Sequence, residues 1–222
     1  MMKLTKPALI LVLVLSSGTA AQAGPAADLV FSEGVFLQTA PGTVLSYTHQ
    51  RLGQETENFK PFETGAILLS LEQNADRKQL EAEFFIDDTR RGSTTFPADI
   101  GNPLIMSFLE SSLRAMATLT DGSPFYIRNR IKDDLRDGGT ISDTVVTYQG
   151  VEIPAQEVRF VPFAEDENRA KMGNFADMEL VFVVSDQVPG FIHSMHADTP
   201  KAESGVAYFN EIVTLNETRL PE

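Results

Sequence analysis

The sequence predicts an α+β domain, a curved, half-barrel-like antiparallel sheet covered on one face by a central helical pair. Three observations lead there. Short apolar/polar alternations recur through most of the chain, the period-2 mark of half-buried strands. Two capped, helix-periodic segments sit together in the middle, between residues 102 and 139. The chain contains no cysteine, so a domain of this size has to stand on packing alone.

The first 23 residues read as an address. Lys3 and Lys6 form a basic start, Ala8 to Leu15 an apolar run, and Ala21-Gln22-Ala23 a small-residue cleavage site, in the order of a secretory signal peptide. The run gives way to Ser16, Ser17, Gly18 and Thr19, well short of the about 20 apolar residues that span a bilayer. The expectation is a cut after Ala23, a periplasmic or secreted location and no membrane span afterwards. A lipid anchor at the new N-terminus would need a cysteine there. Residues 24–222 then form a single domain, since neither a linker nor a repeat divides them.

The clearest strand lies at 79–86, with Leu80, Ala82, Phe84 and Ile86 on one side and Gln79, Glu81 and Glu83 on the other. Ile67, Leu69 and Leu71 make a matching face before it, and Gln73-Asn74-Ala75-Asp76 reads as a hairpin loop of medium length. A second hairpin joins 178–185 to 191–197 through a turn ending in Pro189-Gly190, where Pro presets φ and Gly accepts a positive one. Further strands are expected at 29–37, 43–51, 144–149, 156–161 and 206–215. Their alternation implies an antiparallel sheet with one solvated face.

The helices have explicit boundaries. Asn102 caps and Pro103 occupies the first turn of a helix to about Thr118, whose stripe is Leu104, Ile105, Phe108, Leu109, Leu113 and Met116. Asp121-Gly122 ends it. Ser123 and Pro124 start a second, with Ile127, Ile131 and Leu135 spaced by four and Gly138-Gly139 as the stop. A short third helix is expected near 166–173. One sheet covered by the pair buries all these faces.

Composition narrows the partners. The chain carries 18 basic and 31 acidic side chains for a net charge of −13, and loss of Lys3 and Lys6 with the leader takes it to −15. Such a surface repels phosphate backbones, so nucleic acid is not an expected partner.

Catalytic motifs are missing from the sequence: no phosphate loop, no G-x-S-x-G, no H-E-x-x-H, no cysteine nucleophile. His193 and His196 lie three apart on an expected strand, where side chains alternate and diverge, so no metal, cofactor or catalytic residue is assigned. Asp87-Asp88 and Glu165-Asp166-Glu167 read as solvated or dipole-satisfying carboxylates. The second helix stands out for Phe125, Tyr126, Arg128, Arg130 and Lys132. Tyr126, Arg128 and Arg130 are its candidate ligand-binding residues, because guanidinium groups beside an aromatic ring recognise carboxylate or phosphate. The competing reading is an ordinary amphipathic helix, with Arg128, Lys132 and Arg136 on a wet edge near Asp133 and Asp134.

With its leader, its lack of cysteine, its 15 Phe and strands flanking central helices, the chain resembles the periplasmic lipoprotein-carrier superfamily and related bacterial envelope proteins. The resemblance is architectural and carries over no individual residue. It implies a non-enzymatic protein holding an apolar or acyl-bearing ligand in a concave sheet. An envelope interaction or assembly protein, working through an edge strand or the Arg-bearing helix, is the alternative; a hydrolase is least favoured.

Overall fold

The computed structural model describes residues 24–75, 77–201 and 207–221; the expected leader and its cleavage point lie outside them. Among the described residues, nine strands form one wholly antiparallel sheet: β1 (Val44–Gly53), β2 (Phe62–Asn74), β3 (Arg77–Ile86), β4 (Thr89–Pro97), β5 (Thr140–Tyr148), β6 (Val151–Phe160), β7 (Glu179–Val184), β8 (Ile192–Asp198) and β9 (Phe209–Arg219). Their order is β4-β3-β2-β1-β9-β8-β7-β6-β5. The sheet is open, with β4 and β5 as its edges. The first and last long strands meet in the middle, and a hairpin ladder runs outward on each side.

The sheet curls at its β5 end. In a flat sheet strands lie about 4.8 Å apart, so β5 and β9, four places apart, would be separated by roughly 19 Å. Yet Tyr148 Oη on β5 donates to Thr218 Oγ1 on β9 at 2.9 Å, and His193 Nε2 on β8 lies 3.3 Å from the Thr147 carbonyl on β5. Only a strongly coiled sheet brings these groups together, and that makes the half-barrel.

Register follows the alternation. Leu80, Ala82, Phe84 and Ile86 stand opposite Leu71, Leu69, Ile67 and Gly65, and Leu45 and Tyr47 of β1 continue the row opposite Leu69 and Ile67. Phe209, Glu211, Val213 and Leu215 extend it on β9, and Leu180, Phe182 and Val184 on β7; all are buried. A smaller cluster of Ala155, Val181 and Val183, with Val146 against it, occupies the other face.

Two helices cover the main apolar face, α2 (Pro103–Thr120) and α3 (Pro124–Asp137), preceded in the chain by the short α1 (Pro25–Val30). Asn102 caps α2 by accepting from Leu104 N–H at 3.0 Å, and its amide donates to the Gly190 carbonyl at 2.9 Å. One side chain thus fixes both the helix start and the β7–β8 turn. Phe108 of α2 packs edge-on against Phe182, which packs likewise on Phe160. Ile127, Ile131 and Leu135 are the buried positions of α3, as their spacing predicts.

Three expectations need correction, and one strand was not expected. Residues 29–37 contain no strand: α1 ends at Val30 and turns follow, because Pro25 starts a helix whose Ala26, Ala27 and Val30 bury one face. The β2–β3 connection is tight rather than medium, with only positions 75 and 76 between the strands and Ala75 at φ 51°. Near 166–173 the chain makes two short 3-10 turns, Arg169–Lys171 and Gly173–Asp177, in place of an α-helix. Edge strand β4 has no counterpart in the predicted set, since its sequence TRRGSTTFP is almost wholly exposed and shows no apolar alternation.

Candidate functional site

The sheet's apolar face, where the carrier resemblance places a ligand, is filled. Leu69, Leu71, Leu80, Ala82, Phe108, Met116, Phe182 and Met195 are all buried within one continuous core. The open apolar surface lies instead on the far side of the helical pair.

There α1, α2 and α3 enclose a groove of about 390 Å³. Its α2 wall is Met106, Leu109 and Leu113, at helical spacing; its α3 wall is Ile131 and Leu135; Ala27 of α1 and Phe31 after it complete the lining. The short turn at Asp121–Ser123 sends α3 back along α2. Met106 is 63% exposed, and the floor is almost entirely hydrocarbon.

Charges ring the mouth. Arg128, Lys132 and Arg136 follow one another at intervals of four along α3, and so share one side of it. Arg128 donates across the groove to Glu110 on α2 at 3.1 Å. Arg114, and then Arg128, hydrogen-bond the Glu110 carboxylate and hold it below the usual carboxylate range. Arg136 pairs with Asp137 and, at 3.4 Å, with Asp133. Among the described residues Lys132 makes no ion pair.

The three candidate residues of the second helix part company. Arg128 belongs to the groove. Tyr126 and Arg130 lie elsewhere: Tyr126 Oη donates to the Asp166 carboxylate at 2.8 and 2.9 Å and accepts from Asn168 Nδ2 at 3.0 Å. Arg130 stacks 5.8 Å over the Tyr126 ring and bonds Asp133 at 2.7 Å. Tyr126 thus pins the 161–168 loop against α3, with Arg130 held over its ring. Asp134 also faces that loop, where burial pushes its carboxyl up from the usual range despite a hydrogen bond from the Val161 backbone.

A second polar cluster ties α2 to the sheet. Glu211 points inward from β9, 0% exposed. Its Oε1 accepts from Ser111 Oγ at 2.6 Å and lies 2.8 Å from His49 Nε2 on β1; its Oε2 accepts from Ser112 Oγ at 3.1 Å. Arg51 donates to Ser111 Oγ at 3.2 Å, its guanidinium stacked 5.3 Å from Phe59 and 5.0 Å from Phe62. Both hydroxyls donate to the carboxylate and neither bonds the imidazole, so the cluster satisfies a buried charge rather than preparing a nucleophile. The sequence carries a signal for it: Glu211 occupies an inward position in the row Phe209, Glu211, Val213, Leu215.

His193 and His196 lie on strand β8 as expected, although a bulge at His193 interrupts the alternation. His193 goes to the Thr147 carbonyl and His196 to Ser194 Oγ at 3.1 Å. Among the described residues no cluster of three or more His, Cys, Asp or Glu could hold a metal ion. Asp87 and Asp88 form the two-residue β3–β4 turn, both at positive φ.

Fold and groove together define an open antiparallel half-barrel of the α+β class whose helical cover carries an apolar cleft on its outer side. No family model matches the chain, and no curated protein matches it. Among solved structures it is similar to the Mycobacterium tuberculosis lipoprotein LppX, at 7% sequence identity over 81% of this chain and 87% of that one, with a TM-score of 0.33. A likeness at that level assigns no function. Among the described residues no helix is long and apolar enough to cross a membrane.

Proposed function

We propose that this is an exported, non-enzymatic binding protein that holds an apolar or acyl-bearing ligand in the groove between α2 and α3. One observation carries the reading: a cleft of about 390 Å³ with an almost wholly hydrocarbon lining opens on the helical cover, while the sheet's own apolar face is filled. Its size falls within the roughly 300–1,000 Å³ of small-molecule sites, which pair an apolar lining with a few polar groups for orientation. Burying such a ligand gains about 25 cal/mol per Å² of apolar surface removed from water.

The test is titration with a neutral fluorescent acyl-site probe, N-phenyl-1-naphthylamine. A saturable rise in fluorescence is expected, weakened at least about tenfold in Met106→Glu, since a carboxylate in the cleft loses its hydration. Met106 is exposed, so the variant keeps its melting temperature. No response from the parent protein, or full binding by Met106→Glu, would overturn the reading. Export is tested separately: N-terminal sequencing of the protein recovered outside the cytoplasm should begin at Gly24.

A second reading, assembly through a sheet edge, is favoured by β5, which leaves Ile141 and Val145 exposed on a strand that pairs with β6 on one side and, among the described residues, with no strand on the other. In-cell crosslinking from position 145 to one defined partner, lost in Val145→Lys, would support it; no crosslinked partner would remove it.

A further inference from the structure

Granting that the groove is a ligand site, its rim narrows the ligand. We infer that it takes a single-chain anionic amphiphile, whose carboxylate or phosphate head sits on Lys132 with Arg128 turned from Glu110 to join it.

The size argument limits the tail. At about 390 Å³ the cleft lies at the small end of the ligand-site range of roughly 300–1,000 Å³, which suits one chain better than two.

The charge argument selects the head. The protein as a whole is strongly acidic, a surface that disfavours anions in general. At the mouth, however, three cations line one side of α3 directly above the apolar wall of Ile131 and Leu135. Their states differ. Arg128 and Arg136 each have a carboxylate partner, whereas Lys132 is exposed and, among the described residues, makes no ion pair. A flexible ammonium at the lip of a hydrocarbon cleft gains most from an anion whose tail is already fixed there. The opposing acid, Glu110, is held by Arg114 at 2.9 Å as well as by Arg128, so Arg128 can leave it without stranding the carboxylate.

The experiment uses the full chain without its leader and displaces N-phenyl-1-naphthylamine with dodecanoate, dodecyl phosphate, dodecanol and dodecyltrimethylammonium, each below its aggregation concentration. The two anions are expected to compete about two- to fivefold more tightly than the alcohol, the range of a partly exposed charge contact, and the cation more weakly than the alcohol. The double variant Lys132→Gln/Arg128→Gln should bring dodecanoate down to the level of dodecanol, while Lys60→Gln, remote from the groove, keeps the preference. Equal competition by all four headgroups, or a preference that survives Lys132→Gln/Arg128→Gln, would overturn the anionic head while leaving the groove reading intact. No probe binding at all would instead sink the groove reading. Comparison of dodecanoate with a monoacyl glycerol phosphate separates a free acid from a lipid headgroup, and tighter binding of either over the alcohol supports the inference.

Discussion

Glu211 and His49 face each other across the central β9–β1 pair, carboxylate to imidazole at 2.8 Å, with the glutamate wholly buried beneath α2. Ser111 and Ser112 complete the carboxylate's shell from the helix side. The pair thus registers the helical cover on the sheet, and this dictates what its removal does. A buried donor left without its acceptor costs about 1–3 kcal/mol, so Glu211→Ala, which strips the acceptor from His49 and both serines, should lose stability of at least that order. Glu211→Gln keeps an acceptor and should lose roughly 1 kcal/mol. Urea denaturation measures both; a Glu211→Ala loss below about 1 kcal/mol would show that the cluster is not a structural tie.

Tyr126 and Arg130 are expected to act on the loop and not on the ligand. Tyr126→Phe removes the hydroxyl shared by Asp166 and Asn168, at a cost of about 1 kcal/mol. Hydrogen exchange should quicken in residues 163–169, while probe affinity in the groove changes less than about twofold. Loss of probe binding in this variant would relocate the site.

Gly139 sits where no side chain fits. Its φ is +89°, and a Cβ there would lie 2.5 Å from the Phe160 ring and 2.7 Å from the Ala26 methyl. Gly139→Ala should destabilise by about 2–4 kcal/mol, combining positive-φ strain with overpacking. A thermal melt within a degree or two of the parent would contradict this close approach.

His193 and His196 give the fold an acid sensitivity. Burial lowers the pKa of each, against weaker opposing effects from the Thr147 carbonyl and from Asp198 and Glu157 respectively. The unfolded chain therefore binds protons that the folded chain refuses, and stability rises with pH across the interval between the folded and unfolded values. The contribution is complete above the ordinary histidine range near 6.5 and fades as pH falls below it. Denaturation midpoints from pH 7.5 to pH 5 should decline, and the double variant His193→Gln/His196→Gln should flatten that decline. An unchanged slope would show that the two rings do not cause it.

The legible parts of the fold were those with a strong local cause. Asn102-Pro103 and Ser123-Pro124 open the two long helices at the expected places, and Leu80, Ala82, Phe84 and Ile86 line one face by period alone. β4 was illegible because an edge strand of Thr, Arg and Ser buries too little to leave a pattern. Residues 29–37 misled because their apolar residues serve a short helix and the turns after it. In the site, Arg128 was visible as a basic residue on an amphipathic helix, but its separation from Tyr126 and Arg130 depends on which flank of α3 meets α2 and which meets the 161–168 loop.

By itself the sequence determined the fold class, the helical pair and the inward rows of β2 and β3, since caps and hydrophobic periods act over a few residues and need no distant partner. The tertiary structure alone decided three things: that β1 and β9 meet at the centre, that Glu211 finds His49 and two serines, and that the open apolar surface lies outside the helical pair rather than inside the sheet. Each joins groups far apart in the chain, and long-range contacts are set by how whole faces pack, which no local pattern encodes.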